Sequence, residues 1–301
     1  MWAGGCAPFV PPQTAALLAT QPPRLPRRAE LRDVPFHPQT PYHCGPAALA
    51  SALEYAGFAA DANTLADAVF LPAREGTLQV EMLGGARRQG ALPVRLPGTL
   101  EALCAEIDDG NPAVVLLNLG LSFAPLWHYA VLVGYDLDER EAILRSGTTQ
   151  RDAMVLRTFE HTWARSGHWA FVAMRPGRLP RSATEIDAQQ AALGFERTAP
   201  PMAAAQVWQS VVDRWPEGLL SLMGLGNARM AAGDAAAAAS AFERAAQRHD
   251  SAAAWNNLAQ ARRRLGDAAG ARAAAERAVE RAQAAEPRWL EAAKATLAEI
   301  K

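Results

Sequence analysis

An α+β domain followed by an all-α repeat domain is the fold class that this 301-residue sequence predicts. Three observations predict it. Helix signals come first, between about 46 and 90, and four strand-like runs follow, the order expected of an α+β domain with an antiparallel sheet. After Pro176 the texture becomes alanine-rich, with helical periodicity and few β-branched residues. A block in that second half then recurs at a fixed offset, as stacked helical hairpins do. The sequence exceeds the usual size of one domain, and either half is long enough to bury a core.

Residues 1–30 hold six prolines and most of the basic run "PPRLPRRAELRD". They read as a flexible N-terminal tail with a solvated charge run. Within it, Ala3-Gly4-Gly5-Cys6 resembles the end of a bacterial lipoprotein signal, whose cysteine becomes the lipidated N-terminus. The charged and apolar regions of such a signal are missing. The expectation is a lipid-anchored, periplasmic protein of the bacterial cell envelope if a signal precedes this stretch, and a cytoplasmic one otherwise. No run of about 18 apolar residues occurs, so no spanning helix is expected.

Residues 31–176 form the α+β domain. A helix from about Pro46 to Ala56 is marked by proline in its first turn and by the face Leu49, Ala52, Leu53, Ala56, and Gly57 ends it. "NTLADAVFLP" and "TLQVEMLGGARRQG" give two further helices. The runs 113–119, 128–136, 141–147 and 168–174 read as strands, and the short polar turn "DLDER" joins the second and third as an antiparallel hairpin.

Residues 177–182 read as a linker, and 183–301 as the repeat domain. Leu222-x2-Leu225-Gly226, Gly233-Asp234 and Ala238-x3-Phe242-x2-Ala245 recur 33 positions later as Trp255-x2-Leu258-Ala259, Gly266-Asp267 and Ala271-x3-Ala275-x2-Ala278. Upstream, Ala204-x3-Trp208-x2-Val211 fits the second helix of a further copy. This block resembles the tetratricopeptide repeat, with small residues where helices touch. Arg229 and Arg262 stand in its usual tyrosine place, and Ala275 replaces its usual large aromatic residue. The resemblance implies a solenoid of about three helical hairpins, closed by "RWLEAAKATLAEI", that binds a protein partner.

With 30 basic and 31 acidic residues the formal charge is -1, which leaves no nucleic-acid footprint. Three cysteines are too few and too scattered for a disulfide framework or a zinc cluster, and no metal or organic cofactor is implied. Cys104 shares a helical face with Leu100, Leu103 and Ile107 and reads as a small buried hydrophobe.

Cys44 is different. It directly precedes Gly45-Pro46 and a helix start, where unpaired N–H groups and the helix dipole favour a thiolate. Such a nucleophile needs a base, and His128, opening an apolar strand, is the best placed of six histidines. His37 and His43 flank the cysteine, and His161 and His168 are expected at the surface. The attacked carbonyl also needs an oxyanion donor, which the Gln39 amide supplies together with the Cys44 N–H. Glutamine, then cysteine at a helix start, then histidine on a later strand is the papain-like order.

"PFHPQTPYHCGPAALASALEYAGF" and "HYAVLVGYD" together resemble the double-glycine leader peptidases, bacteriocin-processing cysteine peptidases of papain-like fold, from about Val34 to Met174. The resemblance implies Gln39 as oxyanion donor, Cys44 as nucleophile and His128 as general base. The family's third residue, an aspartate, falls on Ser146, which has no carboxylate to stabilise an imidazolium. Asp136 or Asp152 in space, or the Cys-His pair alone, are the alternatives. Family members are fused to a transporter and an ATPase that this sequence lacks, so the double-glycine substrate is not carried over. The expected activity is a cysteine peptidase acting on a peptide or protein substrate. The alternative is a degenerate peptidase fold that only binds peptides, and the same trio also serves acyl transfer.

Overall fold

The structure, a computed structural model, describes residues 10–20, 25–39 and 43–300. Cys6 lies outside them, as does the lipid-anchor expectation placed on it. The protein divides into two compact units, residues 1–175 with 180–187, and residues 176–179 with 188–301.

In the first unit the order is α1 (Pro12–Thr20), β1 (Arg28–Glu30), α2 (Cys44–Tyr55), α3 (Ala62–Val69), α4 (Gln79–Arg88), β2 (Leu92–Arg95), α5 (Leu100–Asp108), β3 (Ala113–Asn118), β4 (Trp127–Asp136), β5 (Glu141–Ser146), β6 (Thr149–Val155), α6 (Leu156–Ala164) and β7 (Ala170–Met174). Six strands pair in the order β2-β7-β3-β4-β5-β6, and β1 pairs the far end of β4. Every pairing is antiparallel. Val114 and Leu116 of β3 and Tyr129, Val131 and Val133 of β4 share one core with Leu49 and Leu53 of α2. Residues Gly45 to Leu53 of α2 are all buried, and their small side chains let the helix backbone lie close to the sheet.

The tail expectation is corrected. Glu160, itself buried, accepts the N–H groups of Gln13 and Thr14 at 3.0 and 2.5 Å and so caps α1. Leu17 and Leu25 are buried, and β1 pairs with β4, so α1 and β1 are built into the domain. The linker expectation changes too. The Ser182 N–H donates to buried Glu106 at 2.6 Å and Arg181 pairs with Asp108, so this segment is held against α5.

The second unit holds α8 (Pro201–Arg214) and two helical hairpins, α9 (Leu219–Ala231) with α10 (Ala235–His249) and α11 (Ala252–Arg264) with α12 (Ala268–Ala284), closed by α13 (Leu290–Glu299), and α7 (Glu185–Glu196), which begins in the first unit, precedes them. The repeated Gly-Asp pair has a local cause. Gly233 and Gly266 take positive φ as each first helix ends, and Asp234 and Asp267 accept the N–H groups of Ala237 and Gly270 to start the second. Gly226 is small because a Cβ there would lie 2.3 Å from the Phe242 ring.

Candidate active site

Cys44 is the first residue of α2, and His43 precedes it at the N-cap position without a side-chain cap bond, its ring edge-on to Phe70 at 5.1 Å. The thiol is half-buried and lies against the backbone N–H groups of Tyr129, Gly45 and Cys44 itself. Tyr129 directly follows His128, so the helix start abuts the first residues of β4. Gln39 locks this junction. Its N–H donates to the Gly147 carbonyl at 3.0 Å, and its Oε1 accepts the Gly147 N–H at 3.1 Å. That leaves Nε2 turned to the Tyr129 carbonyl over a weak 3.5 Å contact, with its protons free for a stronger acceptor.

His128 Nε2 lies 3.0 Å from Ser146 Oγ. With Nε2 so engaged, Nδ1 is the ring atom left to take a thiol proton. Strand register adds another group. His128 and Leu132 share a face of β4, Leu132 pairs with Leu144 of β5, and Leu144 pairs with Asp152 of β6. Ser146 follows Leu144 by two residues, so His128, Ser146 and Asp152 all belong to one face of the sheet. Asp136 is excluded from this group. It lies eight residues along β4, about 26 Å away at the rise of a strand, and its Oδ1 accepts the N–H groups of Asp138 and Glu139.

The electrostatics correct one expectation. Burial pushes the Cys44 thiol above its ordinary value, and the three N–H groups that favour the thiolate do not overcome it. Burial pulls His128 down, with the Asp152 carboxylate opposing. Both shifts favour a neutral thiol and a neutral imidazole in the resting site. Cys104 is buried in α5 and pushed up to about 12, chiefly by burial, which makes it an inert hydrophobe.

Residues 31–171 match the model of the Peptidase_C39 like family, and residues 190–250 and 223–287 match that of the tetratricopeptide repeat. The protein has a Peptidase_C39-like domain followed by tetratricopeptide repeats. Among solved structures, a C39-like peptidase from Bacillus anthracis is 21% identical over 49% of this sequence and 98% of its own, with a TM-score of 0.41. The peptidase domain of Streptococcus ComA, a bifunctional ABC transporter, is 20% identical over 47% and 98%, with a TM-score of 0.40. The Yersinia enterocolitica secretion chaperone SycD, in complex with a peptide of YopD, is 18% identical over 40% and 95%, with a TM-score of 0.36. No curated protein matches the sequence.

Within the C39-like domain the structure brings Gln39, Cys44, His128 and Ser146 to one junction of α2, β4 and β5. Gly147 and the Tyr129 backbone also belong there, and no side-chain pattern could have pointed to them. His37 instead lies 3.2 Å from Glu54. His161 and His168 are half-buried rather than at the surface, and His168 sits 3.4 Å from Gln13 and edge-on to Trp163. Among the described residues no cluster of three or more His, Cys, Asp or Glu could hold a metal, and no helix is long and apolar enough to cross a membrane.

Proposed function

We propose that the C39-like domain is a cysteine peptidase, and that the repeats are a scaffold for a protein partner or substrate. The observation that carries the reading is the convergence at the start of β4, where the Cys44 thiol meets the Tyr129 N–H while the neighbouring His128 is held by Ser146 through Nε2. His128 Nδ1 takes the thiol proton as sulfur attacks a peptide carbonyl. The oxyanion is held by Gln39 Nε2 and the Cys44 N–H. His128 then gives its proton to the leaving amine, and the peptide C–N bond breaks to leave a thioester. Water adds to the thioester, His128 takes its proton, and the acid product and free thiol are released. Ser146 Oγ accepts the Nε2–H and fixes the tautomer. Asp152, on the same face, supplies the negative charge that the hydroxyl lacks.

The rival reading, a binding module on a degenerate peptidase fold, is favoured by one observation, the hydroxyl of Ser146 where a carboxylate belongs. Hydrolysis of a quenched-fluorescent peptide library separates the two. Cys44→Ala and His128→Ala should each abolish turnover, and their combination should cost little more than either alone, because the groups act as a unit. Full activity in Cys44→Ala would end the peptidase reading, and peptide binding without turnover in the wild type would favour the rival.

A further inference from the structure

The tetratricopeptide repeats contain their own control for a second site. On α11, Arg262 is fully engaged. Nη2 donates to Glu243 of α10 at 2.7 Å, Nη1 to the Gly270 carbonyl at 3.3 Å, and Nε lies 4.0 Å from Asp267. One repeat earlier, Arg229 of α9 corresponds to Arg262, and Asp234 to Asp267. In the preceding helix α8, Gln209 corresponds to Glu243, as Trp208 does to Phe242. The carboxylate that holds Arg262 is therefore an amide at the counterpart position. That amide is turned away, its Nε2 donating to Asp213 at 2.8 Å.

Arg229 is left with one ion pair, to Asp234 at 3.6 Å, and among the described residues it makes no hydrogen bond. Its Nε is buried without a partner. A buried guanidinium N–H without an acceptor is costly, and a carboxylate matches the guanidinium fork in a planar, two-bond arrangement. Space for one exists. A cleft of about 470 Å³ opens between α8 and α9, lined by Met202, Gln206, Gln209, Ser210, Asp213 and Arg229. The guanidinium and the Gln206 amide offer donors, the Ser210 hydroxyl being engaged by the Val207 carbonyl at 2.7 Å, and exposed Met202 can cover an aliphatic stem. The Asp213 carboxylate is exposed to solvent, which screens its repulsion.

We propose that this cleft binds a carboxylate of a partner polypeptide, with Arg229 as its anchor and the ligand oxygens standing where Glu243 stands in the next repeat. The proposal rests on the scaffold reading of the repeats and not on the peptidase chemistry. An acidic side group and a polypeptide C-terminus offer the same carboxylate.

The test uses the full-length protein with Cys44→Ala, so that no probe is cleaved, and reads the Nε–Hε NMR resonance of Arg229, assigned by its loss in Arg229→Gln. Acetyl-Gly-Glu-Gly-amide, its glutamine analogue, and acetyl-Gly-Gly-Gly with a free C-terminus are titrated in turn. A saturable shift with either carboxylate peptide and none with the glutamine analogue is expected, and the peptide that binds names the source. Gln209→Glu restores the internal partner, so it should shift the resonance in the free protein and weaken the peptide response at least tenfold. An Arg229 resonance that ignores both carboxylates, that moves equally with the glutamine analogue, or that still responds fully in Gln209→Glu overturns the proposal. Peptide shifts confined to other repeat residues would overturn it and leave the scaffold reading standing.

Discussion

Asp152→Asn removes one negative charge while keeping the shape of the side chain, and so isolates what that charge does for His128. Asp152 lies one pair along the sheet face from Ser146, and such diagonal neighbours are about 7–8 Å apart. Ser146 in turn contacts His128, so the charge acts on the imidazolium over roughly 10 Å, which at an effective dielectric of ~20 contributes about 1.7 kcal/mol. Solvent reaches this half-buried carboxylate and reduces the figure to about 1 kcal/mol. The direction follows from the carboxylate raising His128. Its removal favours neutral imidazole, so the acid limb of kcat/KM, where His128 takes up a proton, moves to lower pH by roughly half to one unit. The imidazolium of the transition state loses the same support, so the plateau kcat falls roughly fivefold. Peptide hydrolysis followed from about pH 4.5 to 9.5 reads both effects, and Asp152→Glu should restore the limb in part. A merely structural role would lower activity and leave the limb in place. An unmoved limb, or one moved upward, would show that the Asp152 charge does not support the His128 imidazolium.

In the wild type, opposed shifts on the thiol and imidazole predict that alkylation of Cys44 by iodoacetamide climbs with a midpoint above about 8.5, the ordinary thiol value. A midpoint below about 6.5 would show a preformed thiolate–imidazolium pair instead. Gln39→Ala removes an oxyanion donor and the Gly147 clamp, and should cost roughly a hundredfold or more in kcat with little change in KM. In the repeats, Gly226→Ala places a methyl 2.3 Å from the Phe242 ring, and calorimetric unfolding should show a loss of about 1–3 kcal/mol. An unchanged transition would mean that the helix pair gives way more easily than its packing implies.

Local signals made α2, β3, β4 and the β4–β5 hairpin legible in the sequence, because proline, glycine and apolar runs mark their ends. Trp208, Gly226 and Phe242 likewise carried the repeat in their spacing alone. What stayed hidden depends on partners distant in sequence. Pro12–Thr20 looks like tail until Glu160, 146 residues on from Thr14, supplies the cap. The strand Leu92–Arg95 is only four residues long and contains Pro93, so pairing with β7 rather than propensity makes it a strand. β6, "TQRDAMV", is a mostly exposed, polar edge strand with a weak alternation. Asp152 could be weighed against Asp136 only once the register of β4, β5 and β6 assigned each a face and a distance. The thiol shift was misjudged because helix position is local, whereas burial under β4 is not.

Activation of the Cys44 nucleophile by His128 is the step on which the proposed peptidase activity depends. It is tested most directly by incubating the full-length protein with a peptidyl vinyl sulfone and mapping the adduct by mass spectrometry. A single adduct on Cys44, none on Cys104, loss of labelling in Cys44→Ala, and a rate reduced at least a hundredfold in His128→Ala are expected, in keeping with the contribution of a positioned base. Labelling of Cys44 at the same rate with and without His128, or equal labelling of Cys104, would contradict it.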